Sequence, residues 1–231
     1  MQRLLDSYRA IPPNSTVRLA KPTSNLFRAR DRSGVNGLDV SGLSNVISVD
    51  AEARTADVAG MCTYEDLVAA TLPHGLAPLV VPQLKTITRG GAVTGLGIES
   101  TSFRNGLPHE SVLEIDILTG AGEIVTASPE QHADLFRTFP NSYGTLGYST
   151  RLRIELEPVT PFVSLRHLRF RSLPELVAAM DRIIETGGLD GEPVSMIRSI
   201  AATSSGSERN RRWRNETNGV TGSSSIRSLV E

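Results

Sequence analysis

The chain has 231 residues, of which 39% are hydrophobic and 21% are charged, and its formal net charge at pH 7 is -1. A nearly neutral chain gives no electrostatic reason to expect nucleic acid as a partner, and no apolar run reaches the roughly 20 residues that span a bilayer. A single cysteine, Cys62, excludes an internal disulfide and a metal site built from several cysteines. We therefore expect a cytoplasmic protein without a bound metal.

The N-terminal part of the sequence predicts a helix and a short strand. Leu4, Leu5 and Tyr8 have helical spacing, which predicts a helix over residues 1–10. Residues 17–20 predict a strand, and a polar turn follows it directly: Lys21, Pro22, Thr23, Ser24 and Asn25. A lysine and two hydroxyls at the end of a strand suit a phosphate group, with an ordinary surface turn as the alternative.

The next part predicts strands and one capped helix. Residues 38–50 and 54–59 have the pattern of two strands joined by a short turn. Thr63 has the position of an N-cap, with Asp66 three residues later, and predicts a helix that follows directly over residues 64–72. A short buried strand is predicted next, over residues 79–81.

Residues 82–106 contain five glycines among threonines and serines, with few bulky side chains between Arg89 and Gly97. Glycine lets the backbone approach a ligand closely, and successive exposed amides with short hydroxyls form an anion site. The pattern predicts a segment that binds a phosphate or pyrophosphate, with a tight turn between strands as the alternative. It is neither a Walker nor a Rossmann loop, because GxxxxGK[ST] is absent and position 100 is Ser instead of the third glycine.

Strands and helices are also predicted in the C-terminal half. Strand patterns occupy residues 111–118, 123–126, 149–157 and 162–170. Helix patterns occupy residues 128–137, with Pro129 in the first turn, and residues 173–185. In the second of these helices we expect an apolar face to point inward: Leu176, Val177, Met180 and Ile183 or Ile184.

In this order, the motifs resemble the FAD-binding domain of the vanillyl-alcohol oxidase and p-cresol methylhydroxylase type. The resemblance covers residues 17–170 and rests on VRLAKPTSN, LDVSGLSNVISVD, TRGGAVTGLGIES, LEIDILTGAGEIVTAS, HADLF and YGTLGYSTRLRIELEP. Within this family the chain is most similar to the delta-24 sterol reductase branch, because that branch has a GIES run followed by GTLG.

The resemblance implies an α+β fold of two subdomains with FAD in the cleft between them. Three segments match the cofactor-binding turns: a first segment (residues 21–25), a second segment (88–102) and a third segment (144–147). The residues expected to bind FAD in the second and third segments are Thr88, Gly90, Gly91, Ala92, Gly95, Gly97, Ile98, Glu99, Ser100, Ser102, Gly144, Thr145 and Gly147.

Two departures from the family pattern lead to further expectations. The first segment has no histidine to form a covalent bond with the flavin, so we expect noncovalent FAD. Arg89 stands where a small or apolar residue is usual, so its side chain is expected either to turn outward or to contact the phosphates.

The resemblance also suggests a domain division. We expect the FAD-binding domain over residues 1–160, the start of a substrate-binding cap region over 161–190, and a disordered or aberrant tail over 191–231. The tail is rich in Ser, Arg, Asn and Gly and lacks helical or strand periodicity. Because the cap is largely missing, the sequence is interpreted as a truncated member of its family.

The function implied by the resemblance is that of an FAD-dependent oxidoreductase. In the sterol reductase branch, a flavin hydride reduces a carbon-carbon double bond, with NADPH as a candidate electron donor and a small, sterol-like substrate. Such a substrate leaves a peripheral membrane association open. No residue matches a catalytic acid. The alternatives are a flavin-dependent alcohol or sugar oxidase and an inactive fragment that only binds FAD.

Overall fold

The computed structural model describes residues 1–20, 36–160, 162–163, 166, 168–189, 192–193 and 224–225. Its contacts divide the chain into two units, Met1–Val159 and Thr160–Glu231. The first segment lies outside the described residues, as does most of the predicted tail.

The first unit combines helices with strands, some of which pair with a neighbour in sequence and others across long stretches of chain. Its described helices are α1 (Gln2–Arg9), α2 (Tyr64–Thr71), α3 (Arg89–Gly95), α4 (Ser102–Asn105) and α5 (Ala133–Thr138), with short 3-10 helices at Leu72–His74 and Pro108–Ser111. Its described strands are β1 (Val17–Leu19), β2 (Asn36–Leu38), β3 (Val46–Asp50), β4 (Thr55–Ala59), β5 (Leu76–Pro78), β6 (Val112–Leu118), β7 (Ile124–Ala127) and β8 (Tyr148–Pro158).

The main sheet of this unit is antiparallel and is organised around β8. The strand order is β3-β4-β8-β6-β7, and β5 pairs with the C-terminal end of β8. Alternation along β8 buries Leu152, Ile154 and Leu156 in the main core, as predicted. The opposite face is charged, because Arg151 forms ion pairs with three acidic side chains from neighbouring strands: Asp57, Glu114 and Asp116.

A second, smaller core forms around the N-terminal elements. The strands β1 and β2 pair in parallel, separately from the main sheet, and α1 contributes the buried Leu4 to the same cluster. The hydroxyl of Tyr8 donates a hydrogen bond to the carbonyl oxygen of Gly120 at 2.6 Å, which ties α1 to the turn between β6 and β7. Helices and a mainly antiparallel sheet together give the α+β fold that the sequence predicts.

The long strand predicted over residues 38–50 is interrupted. Only its two ends lie in strands, Leu38 in β2 and residues 46–50 in β3. The carboxylate of Asp39 accepts a hydrogen bond from the amide of Ser41 at 3.0 Å, and the amide of Leu43 donates to the carbonyl of Val40 at 3.0 Å. These local bonds hold a turn in place of a strand.

Two further predicted elements differ from the structure: a strand is absent and a helix begins later than predicted. The strand predicted over 79–81 is absent, and β5 ends before it; the carbonyl of Leu79 instead accepts hydrogen bonds from Thr101 and Asn105 side chains, at 3.0 and 2.7 Å. The helix predicted from residue 128 begins only at Ala133. The hydroxyl of Ser128 accepts hydrogen bonds from the amides of Glu130 and Gln131, and these bonds hold a bend before the helix.

The described residues of the second unit form one long helix and short strand pairs. Its described elements are β9 (Phe162–Val163), α6 (Leu173–Thr186), β10 (Gly188–Leu189), β11 (Glu192–Pro193) and β12 (Ser224–Ser225). Of the strand predicted over 162–170, residues 162–163 form β9, which pairs with β12, whereas the described residues 166 and 168–170 are not in a strand. On α6, Leu176, Met180 and Ile183 are half-buried, whereas Val177 and Ile184 are exposed, so Val177 does not point inward as predicted.

Within the described ranges, no helix has both the length and the apolar character needed to cross a bilayer. The same part of the chain also holds no group of three or more His, Cys, Asp or Glu side chains arranged around a common metal position.

Candidate functional site

The second segment begins as a helix, although its sequence disfavours one. Residues Arg89–Gly95 form α3, and each glycine inside a helix costs about 1 kcal/mol relative to alanine. The hydroxyl of Thr88 caps the helix by accepting a hydrogen bond from the amide of Gly91 at 3.3 Å. Because one cap contributes only about 1 kcal/mol, contacts with the rest of the fold must stabilise α3.

Those contacts come from a backbone pairing between the start of α2 and the start of α3. Four hydrogen bonds make it, each from a donor amide to an acceptor carbonyl: Tyr64 to Ile87 (3.0 Å), Glu65 to Lys85 (3.1 Å), Arg89 to Cys62 (2.8 Å) and Gly90 to Gly60 (2.9 Å). Each helix thereby finds acceptors for its first free amides. The amides of Arg89 and Gly90 are consequently not available to an anion.

Gly90 is required by packing against the main sheet. A Cβ atom at this position would lie 2.1 Å from the Oγ of Ser149 and 2.6 Å from the carbonyl oxygen of Gly60. A Cβ atom at Gly60 would in turn lie 2.0 Å from the carbonyl oxygen of Ser149. Neither Gly60 nor Ser149 was predicted from the sequence, where the only signal is that Gly60 shortly precedes the predicted cap, Thr63.

The end of α3 and the turn that follows it are open. A Cβ atom at Gly95 would meet no atom within 4 Å, and one at Gly97 would make an ordinary contact of 3.6 Å with Glu99. In the turn over residues 96–98, here called the open turn, the amides of Gly97 and Ile98 donate to none of the described residues. Packing against the described residues therefore does not explain these two glycines.

Side chains just after the open turn hold its shape. The hydroxyl of Ser102 accepts a hydrogen bond from the amide of Glu99 at 3.0 Å, so this predicted ligand also stabilises the turn. The Glu99 carboxylate accepts a hydrogen bond from the amide of Gln83, and burial raises the pKa of Glu99 above its ordinary value. Ser100, which stands between Glu99 and Ser102 in sequence, is half-buried. Ala92, on α3, packs in the main core.

The third segment lies beside the C-terminal end of α3. The amide of Tyr143 donates to the carbonyl of Thr94 at 3.0 Å, and the amide of Asn141 donates to the carbonyl of Val93 at 3.2 Å. These bonds join the chain just before the third segment to the second segment. Two stretches that the sequence predicts to bind one cofactor are thus neighbours in the fold.

Within the third segment, part of the pattern is explained by local structure. Gly147 has a φ of +131°, and a Cβ atom there would lie 2.2 Å from the carbonyl oxygen of Leu118. Gly144 also has a positive φ, +86°. The hydroxyl of Thr145 donates to the carbonyl of Ser142 at 2.7 Å and therefore closes the turn. Turn geometry alone requires both glycines.

The first segment, residues 21–25, has no described structure, but the strand before it does. The hydroxyl of Tyr148 donates to the carbonyl oxygen of Val17 on β1 at 3.2 Å, and Tyr148 directly follows the third segment. The chain returns to the described region at β2, which pairs with β1. The strand that precedes the first segment therefore contacts Tyr148, next to the third segment, and residues 21–35 lie outside the described part of the chain.

The outward orientation that was one expectation for Arg89 is wrong. Its side chain is only 1% exposed. The guanidinium donates to the hydroxyl oxygen of Tyr64 at 2.8 Å, and to the carbonyl of Pro108 and the hydroxyl of Ser111, each at 2.7 Å. The pairing with α2 fixes the start of α3, which directs this side chain inward, between α2 and the 3-10 helix that precedes β6.

Comparison with known proteins adds independent evidence. Residues 17–128 match a family model described as an FAD binding domain. Cytokinin dehydrogenase 2 from Oryza sativa subsp. japonica is 33% identical over 138 residues, which are 60% of this chain and 24% of that protein. Delta(24)-sterol reductase from Pisum sativum is 31% identical over 131 residues, which are 56% of this chain and 23% of that protein.

A second plant dehydrogenase has a higher identity over a shorter stretch. Cytokinin dehydrogenase 6 from Oryza sativa subsp. japonica is 41% identical over 102 residues, which are 44% of this chain and 19% of that protein. The chain thus spans about a quarter or less of the length of these curated relatives. The matched family region contains the first and second segments, and its C-terminal limit lies before the third. This chain therefore carries an FAD-binding domain over residues 17–128 and is similar to the plant dehydrogenases and the sterol reductase named above.

Proposed function

We propose that the chain binds FAD noncovalently through the three segments and is the cofactor-binding part of an FAD-dependent oxidoreductase. The open turn carries this proposal, because the amides of Gly97 and Ile98 have no acceptor among the described residues. Ile98 is also 82% exposed, so the open turn lies at the surface of the first unit. Free amides in an exposed, glycine-rich turn suit the diphosphate of a dinucleotide.

The residues of the chain then have distinct roles in the proposed site. The open turn would donate its amides to the diphosphate, and Gly95 would leave room for its approach. In the first segment, Lys21 would add a positive charge and the neighbouring hydroxyls would add hydrogen bonds. That segment contains no histidine, which supports a noncovalent complex. FAD supplies hydride-transfer chemistry when bound, and the protein binds and orients it.

For the reaction of the whole protein we propose reduction of a carbon-carbon double bond in a sterol-like substrate, with NADPH as the electron donor. The support is the GIES run over residues 97–100 and the similarity to a delta(24)-sterol reductase. The cytokinin dehydrogenases are equally similar and support a second candidate, dehydrogenation of a cytokinin-like small molecule.

The visible absorbance spectrum of the purified protein, taken before and after denaturation, tests the cofactor proposal. We expect flavin absorbance peaks in the native protein and a yellow filtrate after denaturation and ultrafiltration. Yellow colour that stays with the denatured chain would contradict noncovalent binding. A colourless protein with a folded circular dichroism spectrum that does not take up added FAD would contradict the proposed site itself.

Two assays on the FAD-loaded protein separate the candidate reactions. Oxidation of NADPH that depends on an added sterol supports the first candidate. Reduction of an artificial electron acceptor that depends on an added cytokinin supports the second. Bound FAD without turnover in either assay would support a fragment that binds the cofactor without catalysing a reaction.

A further inference from the structure

Arg89 carries a buried positive charge whose hydrogen-bond partners are all neutral. They are the hydroxyls of Tyr64 and Ser111 and the carbonyl of Pro108. The guanidinium carbon also lies 5.8 Å from the centre of the Tyr64 ring. The Nε of Arg89 is buried without a hydrogen-bond partner, and within the described ranges no carboxylate forms an ion pair with this side chain.

A guanidinium in this environment remains charged, because arginine does not lose its proton in proteins. Buried charges are normally paired with an opposite charge, and neutral dipoles replace only part of the water that burial removes. Salt screens buried charges much less than exposed ones. Arg89 therefore produces a permanent positive potential that favours an anion in its neighbourhood.

The position of Arg89 connects this potential with the glycine-rich site. Arg89 is the first residue of α3, and the open turn follows the last residue of the same helix. At 1.5 Å per residue, the backbone of α3 is about 10 Å long. Pro108, whose carbonyl accepts a hydrogen bond from Arg89, also lies beside the open turn, because its Cγ is 4.0 Å from a Cβ atom built at Gly97. A charge in the protein interior still acts on an anion at a distance of about 10 Å.

We propose that Arg89 is a positioning residue for the anionic cofactor, and that the diphosphate of FAD is the counterion of its buried charge. This inference rests on the proposed function of the second segment. The charge acts through the field and not by direct contact, since the hydrogen bonds of Arg89 go to Tyr64, Pro108 and Ser111. The affinity for FAD therefore depends on the charge at position 89 and not only on the packing around it.

The test compares Arg89→Gln with Ser111→Ala. Arg89→Gln removes the positive charge. Ser111→Ala removes one of the hydrogen-bond acceptors of Arg89, but it keeps the charge of Arg89 and the hydrogen bond from Arg89 to the carbonyl of Pro108. Flavin fluorescence titration gives the Kd for FAD, and thermal unfolding gives the stability of each FAD-free variant. We expect the Kd to rise about tenfold in Arg89→Gln and to stay within twofold in Ser111→Ala, whatever the two losses of stability.

Unchanged FAD affinity in Arg89→Gln would overturn the inference. Losses of FAD affinity in proportion to the losses of stability in both variants would also overturn it. If Arg89→Gln does not fold, Arg89→Lys decides. Burial lowers the pKa of a lysine, so the FAD affinity of the Arg89→Lys variant should fall as pH rises. The wild-type protein is the reference for this pH profile, because it has the same neighbouring titratable groups: Tyr64, His109 and Glu99. Parallel pH profiles would refute the inference. A wild-type protein that does not bind FAD would instead refute the proposed function.

Discussion

At the scale of single residues, the glycines of the second segment fall into two kinds. Gly90 has no side chain because Ser149 and the backbone of Gly60 occupy the space that a Cβ atom would need. Gly95 has nothing within 4 Å of that space. The first glycine is explained by the fold, and the second is explained by the proposed cofactor.

This difference predicts opposite effects for two alanine substitutions. Gly95→Ala should raise the free energy of unfolding of the FAD-free protein by up to about 1 kcal/mol, because alanine favours a helix. The same change should weaken FAD binding, since a methyl group enters the proposed approach path. Gly90→Ala should destabilise the FAD-free protein. Denaturant unfolding and FAD titration measure both quantities, and a Gly95→Ala variant that binds FAD as the wild type does would contradict the prediction.

Cys62 leads to a prediction about pH. Burial, with a smaller contribution from the negative charge of Asp66, raises the pKa of its thiol to about 12. The folded protein therefore keeps this proton at pH values where an exposed cysteine loses it, and the associated stability is lost as pH rises from about 9 towards 12. We expect native Cys62 to react with a disulfide reagent at pH 8 far more slowly than the denatured chain. Equal rates would contradict the burial of this thiol.

At the scale of elements, the two helices that pair at their starts have matched caps. Thr63 accepts a hydrogen bond from the amide of Asp66 at 3.1 Å, and Thr88 accepts one from the amide of Gly91 at 3.3 Å. Thr63→Ala and Thr88→Ala should each lower the free energy of unfolding by about 1 kcal/mol. Only Thr88→Ala should also weaken FAD binding, because only α3 leads into the open turn. Equal effects of both substitutions on the FAD Kd would contradict this separation.

The elements that sequence predicts well are those with a local cause. The helix α2 has its cap within three residues, and β8 shows strict alternation of Leu152, Ile154 and Leu156. The helix α3 could not be predicted, since Gly90 and Gly91 indicate a loop and the bonds that stabilise it reach back to Gly60 and Cys62. The prediction that this segment binds a phosphate did not require the helix, because it rests on residue types and not on the element.

The orientation of Arg89 and the place of the third segment also depend on contacts between distant parts of the chain. The inward direction of Arg89 depends on Tyr64 and Ser111, which lie 25 and 22 residues away in sequence, so no local pattern signals it. The contact of Tyr143 with Thr94 also spans a long stretch of chain. Only the resemblance to a known family placed the second and third segments at one site beforehand.

At the scale of the whole molecule, binding of FAD and stability of the fold should be linked. The three segments come from distant parts of the chain, and the unfolded state does not bring them together. A ligand that binds only the folded state stabilises it by about 2.7 kcal/mol at a hundredfold excess over its Kd. For a unit of this size, that corresponds to a rise in Tm of roughly 5 to 10 °C.

We therefore expect the Tm to rise steadily with FAD concentration, as measured by far-ultraviolet circular dichroism. Riboflavin is the matched control ligand, because it has the flavin ring system without the diphosphate and should raise the Tm less at the same concentration. Riboflavin also lacks the adenosine of FAD, so the difference between the two ligands reports the joint contribution of the diphosphate and the adenosine to binding. Equal rises would mean that the open turn and the first segment do not hold the diphosphate, and no rise with FAD would mean that the folded chain does not bind it.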